Sequence, residues 1–111
     1  FTAAQAAMDA HIALNVCFSS NVIGGLYSPQ THPLGKLFSD GQLVTVSTDD
    51  PMLLDLPLLK ELQIVTEQYG WGINEVLQLQ KNAVAAAFCT QEEKEKLYAY
   101  IDVFQKKLSA F

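Results

Sequence analysis

The chain has 111 residues, half of them apolar, and a net charge of −5. This composition excludes a disordered tail. Its acidity argues against nucleic-acid binding, which needs clustered Lys and Arg against phosphate.

The first element, Phe1 to about His11, is alanine-rich and reads as the tail of a helix. IALNVCF, Ile12 to Phe18, alternates in polarity and favours a strand, ending in the polar run Ser19, Ser20, Asn21. The Gly- and Pro-rich stretch VIGGLYSPQTHP is a loop. Pro33 to Asp40 is a short helix with Leu34, Leu37 and Phe38 on one face, and Gly41 fits its C-terminal cap. Gln42 to Ser47 is a second strand, running directly into Thr48, Asp49, Asp50 and Pro51. Leu58 to Tyr69 is a helix, with Leu59, Leu62, Val65 and Tyr69 at helical spacing and Gly70 and Gly72 ending it. Ile73 to Phe88 is another, carrying Val76, Leu79, Ala83 and Phe88. A last helix starts at Thr90, where Thr90 and Glu93 form a capping box, and continues through Leu97, Ile101, Phe104 and Leu108.

The two strands lie roughly 24 residues apart with a helix between them. That spacing implies parallel strands and a right-handed crossover, and it argues against a hairpin. Two parallel strands do not make a complete sheet, because such sheets need both faces covered and more neighbours. The high apolar content and the lack of an initiator Met agree with a piece of something longer. FTAAQAAMDA is not a signal peptide, and no run of about 18 apolar residues predicts a membrane span. Cys17 and Cys89 are far apart, in apolar company and outside any CxxC or CxxH motif; they read as buried free thiols of a cytoplasmic protein, with no cysteine zinc site. Lys94, Lys96, Lys106 and Lys107, interleaved with Glu92, Glu93 and Glu95, form a solvated helix face.

The chemistry concentrates at STDDP, Ser47 to Pro51. In α/β folds, ligands sit at the carboxyl ends of parallel strands. On an extended segment, Asp49 and Asp50 point opposite ways and can take separate jobs, one as a hard oxygen ligand and the other as a hydrogen-bond acceptor. The competing reading is a turn start, with either carboxylate capping backbone N–H groups.

CFSSN (Cys17 to Asn21), THPLGKLF (Thr31 to Phe38), STDDP, Glu61, KNAVAAAF (Lys81 to Phe88) and QEEKEKL (Gln91 to Leu97) follow one another in an order that resembles the C-terminal part of the adenosine deaminase family, over nearly the whole chain. The resemblance implies the α/β fold class: about strands 7 and 8, with the closing helices, of a (β/α)8 TIM-type barrel whose remainder lies outside residues 1–111. It implies a zinc-dependent hydrolase that removes the 6-amino group of adenosine or adenine as ammonia. By the family's DDP motif, Asp49 is carried over as a zinc ligand and Asp50 as a substrate acceptor at purine N7. The His ligands and the catalytic Glu and His belong upstream, so no catalytic residue is expected in this chain and the fragment alone is not expected to be active. The implied partners are a purine substrate and the rest of the barrel, with no nucleic acid and no membrane. Ser20 and Asn21 are candidates to orient Asp49, or else to satisfy loop backbone. His32, at the family's H-P position, and His11 read as structural. The sequence departs from the family pattern at Phe18, where Pro is usual, at Leu54 and Asp55, where an aromatic residue and Gly are frequent, and at Leu62, where Tyr is. These departures leave a second reading, a degenerate relative that uses the scaffold for binding or structure.

Overall fold

The computed structural model of the protein describes residues 2–111. Its elements in chain order are α1 (Ala3–Asp9), β1 (Leu14–Val16), α2 (Phe18–Ile23), α3 (Leu34–Ser39), β2 (Val44–Val46), α4 (Leu58–Tyr69), α5 (Ile73–Ala86) and α6 (Gln91–Ser109). The strands pair in parallel, with Leu14 opposite Val44, Asn15 opposite Thr45 and Val16 opposite Val46. The βαβ reading therefore holds, although each strand is shorter than its alternating run. The ladder extends by one bond at either end, Leu14 N–H to Leu43 O (2.8 Å) and Ser47 N–H to Val16 O (3.0 Å).

One side of this two-stranded sheet carries the core. Val16 and Val44 join Phe18, Leu34, Val65 and Leu79 in one buried cluster, with Leu14 and Val46 against it. Alternation sends Asn15, Thr45 and Ser47 to the opposite side. There Asn15 Oδ1 accepts from Thr45 Oγ1 (3.1 Å) and Ser47 Oγ (2.6 Å). α5 lies against β2, and the buried Asn82 reaches across to donate to the Val44 carbonyl at 2.9 Å. That bond occupies a strand carbonyl on the core side, where an unmet acceptor costs about 1–3 kcal/mol.

Three expectations about elements are corrected. The α1 segment is a helix start rather than a tail: Thr2 caps it by accepting from Gln5 N. Phe1 lies outside the described residues. The segment from Phe18 to Asn21 is helical, not the end of a strand. Phe18 turns its ring into the core, 4.7 Å from His32 and 5.9 Å from Tyr69 between ring centroids. Packing thus overrides the alternating pattern that had extended the strand. α5 ends at Ala86, and Phe88 is fully exposed, not on a core face.

The helices downstream follow their local signals. α4 covers the predicted span and ends on Gly70 in the left-handed conformation (φ +65°). Its buried stripe differs from the predicted one: Leu59 is exposed, whereas Glu61 is buried beside Val65. Gly41 (φ +81°) ends α3 as expected. Gly35 lies against the Tyr69 ring so closely that a Cβ there would fall 2.6 Å from it. The Tyr69 hydroxyl donates to the His32 carbonyl (3.3 Å), and burial of the ring raises the phenol pKa. α6 begins at the Thr90–Glu93 capping box and has no buried residue. Lys94 Nζ donates to the Ala85 carbonyl at 2.7 Å, closing the end of α5. Cys17 and Cys89 are free and half-buried. Among the described residues, no helix is long and apolar enough to cross a membrane.

Candidate functional site

The site is built where β1 and β2 end. Beyond Ser47 the chain does not stay extended. Asp49 adopts the left-handed conformation (φ +64°), so the expectation that Asp49 and Asp50 alternate on an extended segment is not met. Asp is among the few non-glycine residues that enter this region readily, because its short polar side chain bonds locally. The turn swings the Asp49 carboxylate toward the start of α2, where Ser20 Oγ donates to Asp49 Oδ2 at 2.7 Å. Ser20 therefore does orient Asp49, one of its two expected roles. Asn21 does not; its side-chain amide lies 3.1 Å from His32 Nε2.

Asp50 takes the turn-starting role. Its Oδ1 accepts from Leu53 N (2.9 Å), while its carbonyl accepts from Leu54 N (3.0 Å). The turn-start reading of STDDP is met at Asp50, which shapes the turn with one oxygen, while Asp49 is held by a partner 29 positions upstream. Asp49 and Asp50 are both exposed, and the second oxygen of each has no hydrogen-bond partner among the described residues. The Cys17 thiol lies in this acidic neighbourhood. Burial first, then the charges of Asp49 and Glu61, push its pKa up and keep it protonated.

The feature that sequence reasoning left unassigned is Glu61. It entered only as a match to the family pattern, and the structure places it fully buried at 0% exposure. Its Oε1 accepts from Ser19 N at 2.9 Å, and its Oε2 accepts a short hydrogen bond from Ser19 Oγ. The available signal was a carboxylate set four residues before Val65 on the apolar stripe of α4.

His32 is structural, as anticipated. Only 6% of it is exposed, its Nδ1 accepts from Leu34 N (3.1 Å), and its ring packs between Phe18 and Tyr27. An accepting Nδ1 leaves the ring proton on Nε2; Asn21 Nδ2 is the atom placed 3.1 Å from it, so that proton is accepted by Asn21 only with the amide turned over. Burial lowers the imidazole pKa, with Glu61 opposing, so the neutral form is favoured. His11 is exposed in the turn before β1, with φ +54°. Phe18 and Leu54, two of the departures from the family pattern, line one apolar cleft of about 240 Å³ with Val22, Leu56 and Ile64.

The donor chemistry at Asp49 suits one ligand of a divalent cation: a hard carboxylate with one oxygen oriented and the other free. Among the described residues, no group of three or more His, Cys, Asp and Glu side chains is placed to hold a metal. Both nitrogens of His32 are engaged within the core.

Comparisons with known proteins bear on the family and the fold. The family model described as adenosine deaminase matches residues 4–104. An adenosine deaminase of Shewanella halifaxensis is 35% identical over 91 residues, 81% of this chain and 28% of that protein. An adenine deaminase of Rhizobium meliloti is 33% identical over 96 residues, 86% of this chain and 30% of that protein. The crystal structure of an adenine deaminase from Arthrobacter aurescens superposes with a TM-score of 0.83 at 22% identity, covering 93% of this chain and 32% of that one. The chain thus spans less than a third of the length of the relatives it matches. Its fold is part of a TIM-type barrel: two neighbouring parallel strands with the helices that cover them. Matched by that family model over residues 4–104, the chain belongs to the adenosine deaminase family.

Proposed function

We propose that the intact protein carrying this chain is a zinc-dependent aminopurine deaminase, which hydrolyses the 6-amino group of adenosine or adenine to the 6-oxo compound and ammonia. Residues 1–111 contribute the carboxylate side of the site, and the preceding strands of the barrel contribute the imidazoles, the acid–base groups and the rest of the purine pocket. The observation that carries this reading is the Asp49 carboxylate, turned at a strand end and clamped through one oxygen by Ser20, within a chain matched by the family model.

The roles are those the family resemblance implies, and the hydrogen bonds at both carboxylates support them. Asp49 offers its free oxygen to the cation, while the Ser20 bond limits its rotation. Zinc, when bound, lowers the pKa of a coordinated water toward neutrality. Asp50, anchored through Oδ1 to Leu53 N, presents Oδ2 to the purine at N7, one shared proton lying between them. Because Asp50 is fixed by its own turn, the ring it holds has a set distance from Asp49. The isolated segment supplies one metal ligand and no acid–base pair, so it is inactive alone. A cytoplasmic location belongs to the same reading and is supported by the two free thiols. The degenerate-relative reading gains nothing from Phe18, whose ring serves the core.

Zinc content and deamination of the intact protein test the assignment. Asp49→Ala loses zinc and activity. Asp50→Asn keeps zinc and raises KM for the purine. Zinc retained in Asp49→Ala removes the ligand role, and zinc lost in Asp50→Asn reverses the two assignments.

A further inference from the structure

The first turn of α2 is held by α4, not by itself. Cys17 at its N-cap position makes no side-chain capping bond. A six-residue helix is too short to stand on its own propensity. The missing acceptor comes from Glu61, 42 positions away, which takes both the backbone N–H and the hydroxyl of Ser19. A carboxylate without solvent exposure is costly unless such bonds offset the lost hydration. The residue directly after Ser19 is Ser20, whose hydroxyl donates to Asp49 Oδ2. Two side-chain clamps therefore sit on consecutive residues: one ties α2 to the helix behind it, and the next ties α2 to the carboxylate in front.

We propose that Glu61 is a positioning residue for Asp49, acting through Ser19 and the first turn of α2 to fix where the Ser20 hydroxyl lies. Glu61 touches neither metal nor substrate; it sets the orientation of the group that orients the ligand. This inference rests on the reading of Asp49 as a zinc ligand. A role confined to stability would hold α4 against α2 and leave the metal indifferent.

Zinc affinity of the intact protein, measured by competition with a chromophoric chelator, separates the two. Ser20→Ala and Glu61→Ala each weaken zinc binding, by roughly tenfold, the scale seen when groups that orient a ligand are removed. Because both act along one route, the Ser20→Ala/Glu61→Ala double variant is scarcely weaker than the worse single variant. Glu61→Gln still accepts from Ser19 N and donates to Ser19 Oγ, so it stays within about twofold of the parent. If Glu61→Ala fails to fold, Ser19→Ala, which keeps the backbone bond, replaces it and shows a smaller loss in the same direction. Unchanged zinc affinity in Glu61→Ala or Ser19→Ala, or full additivity with Ser20→Ala, overturns the inference while Asp49→Ala still loses zinc. If Asp49→Ala itself keeps its zinc, the deaminase reading falls and this inference falls with it.

Discussion

α2 and α6 are both exposed in part, yet they are helices for opposite reasons. α6 runs for 19 residues, starts at its own capping box and places Glu92 and Glu93 in its first turn and Lys106 and Lys107 in its last. Those charges complement the helix dipole, so its boundaries are written locally. α2 has six residues, no cap of its own and no charge in either end turn; one first-turn N–H group, that of Ser19, is met by a carboxylate from α4. The comparison teaches that the helix beside the candidate site depends on distant parts of the chain, whereas the helix farthest along the chain depends on itself. Only the dependent one reaches Asp49.

This contrast can be broken from either side. The largest effect is expected at Glu61, where replacement by Ala leaves the buried Ser19 N–H and hydroxyl without acceptors. The loss is about 3 kcal/mol, from two unmet buried groups. Thermal denaturation of the intact protein reads it, and hydrogen exchange should place the opening at α2 and not at α6. Thr90→Ala should cost about 1 kcal/mol, the usual value of one N-cap side chain. Its signature is faster exchange in the first turn of α6 with zinc affinity unchanged, since α6 reaches no part of the site.

The smallest effect depends on pH. His32 has a folded-state pKa below the ordinary imidazole value of 6.5, chiefly through burial. The unfolded chain therefore binds the proton more readily than the folded one, and stability falls as pH drops below about 6.5. Comparing melting temperatures at pH 7 and pH 5 should show a loss in the parent that is smaller in His32→Gln. An equal loss in both proteins would show that the buried ring at α2 does not titrate against folding.

Much of the architecture was legible along the chain. The parallel pair followed from two short alternating runs separated by a helix, and α4 and α6 from apolar spacing and the Thr90–Glu93 box. The importance of Asp49 and Asp50 was legible through their place after a strand and through resemblance. Their geometry was not. Asp49 was read as extended and is left-handed, because nothing local announces that Ser20 waits across the turn. The strand drawn through Phe18 ended at Val16, because the ring found a better place against His32 and Tyr69. The helix predicted to run from Ile73 to Phe88 stops at Ala86, so Phe88 lies outside α5.

By itself, the sequence determined which segments are helix or strand where the signal is local: capping side chains, glycine stops and apolar periodicity act within a few residues. It also determined the family to which the chain belongs. Only the tertiary structure decided that Glu61 is buried, that it holds up α2, and that Ser20 thereby meets Asp49. Those bonds join residues 42 and 29 positions apart, and a hydrogen bond depends on the distance between atoms in space, which the fold creates and no stretch of sequence contains.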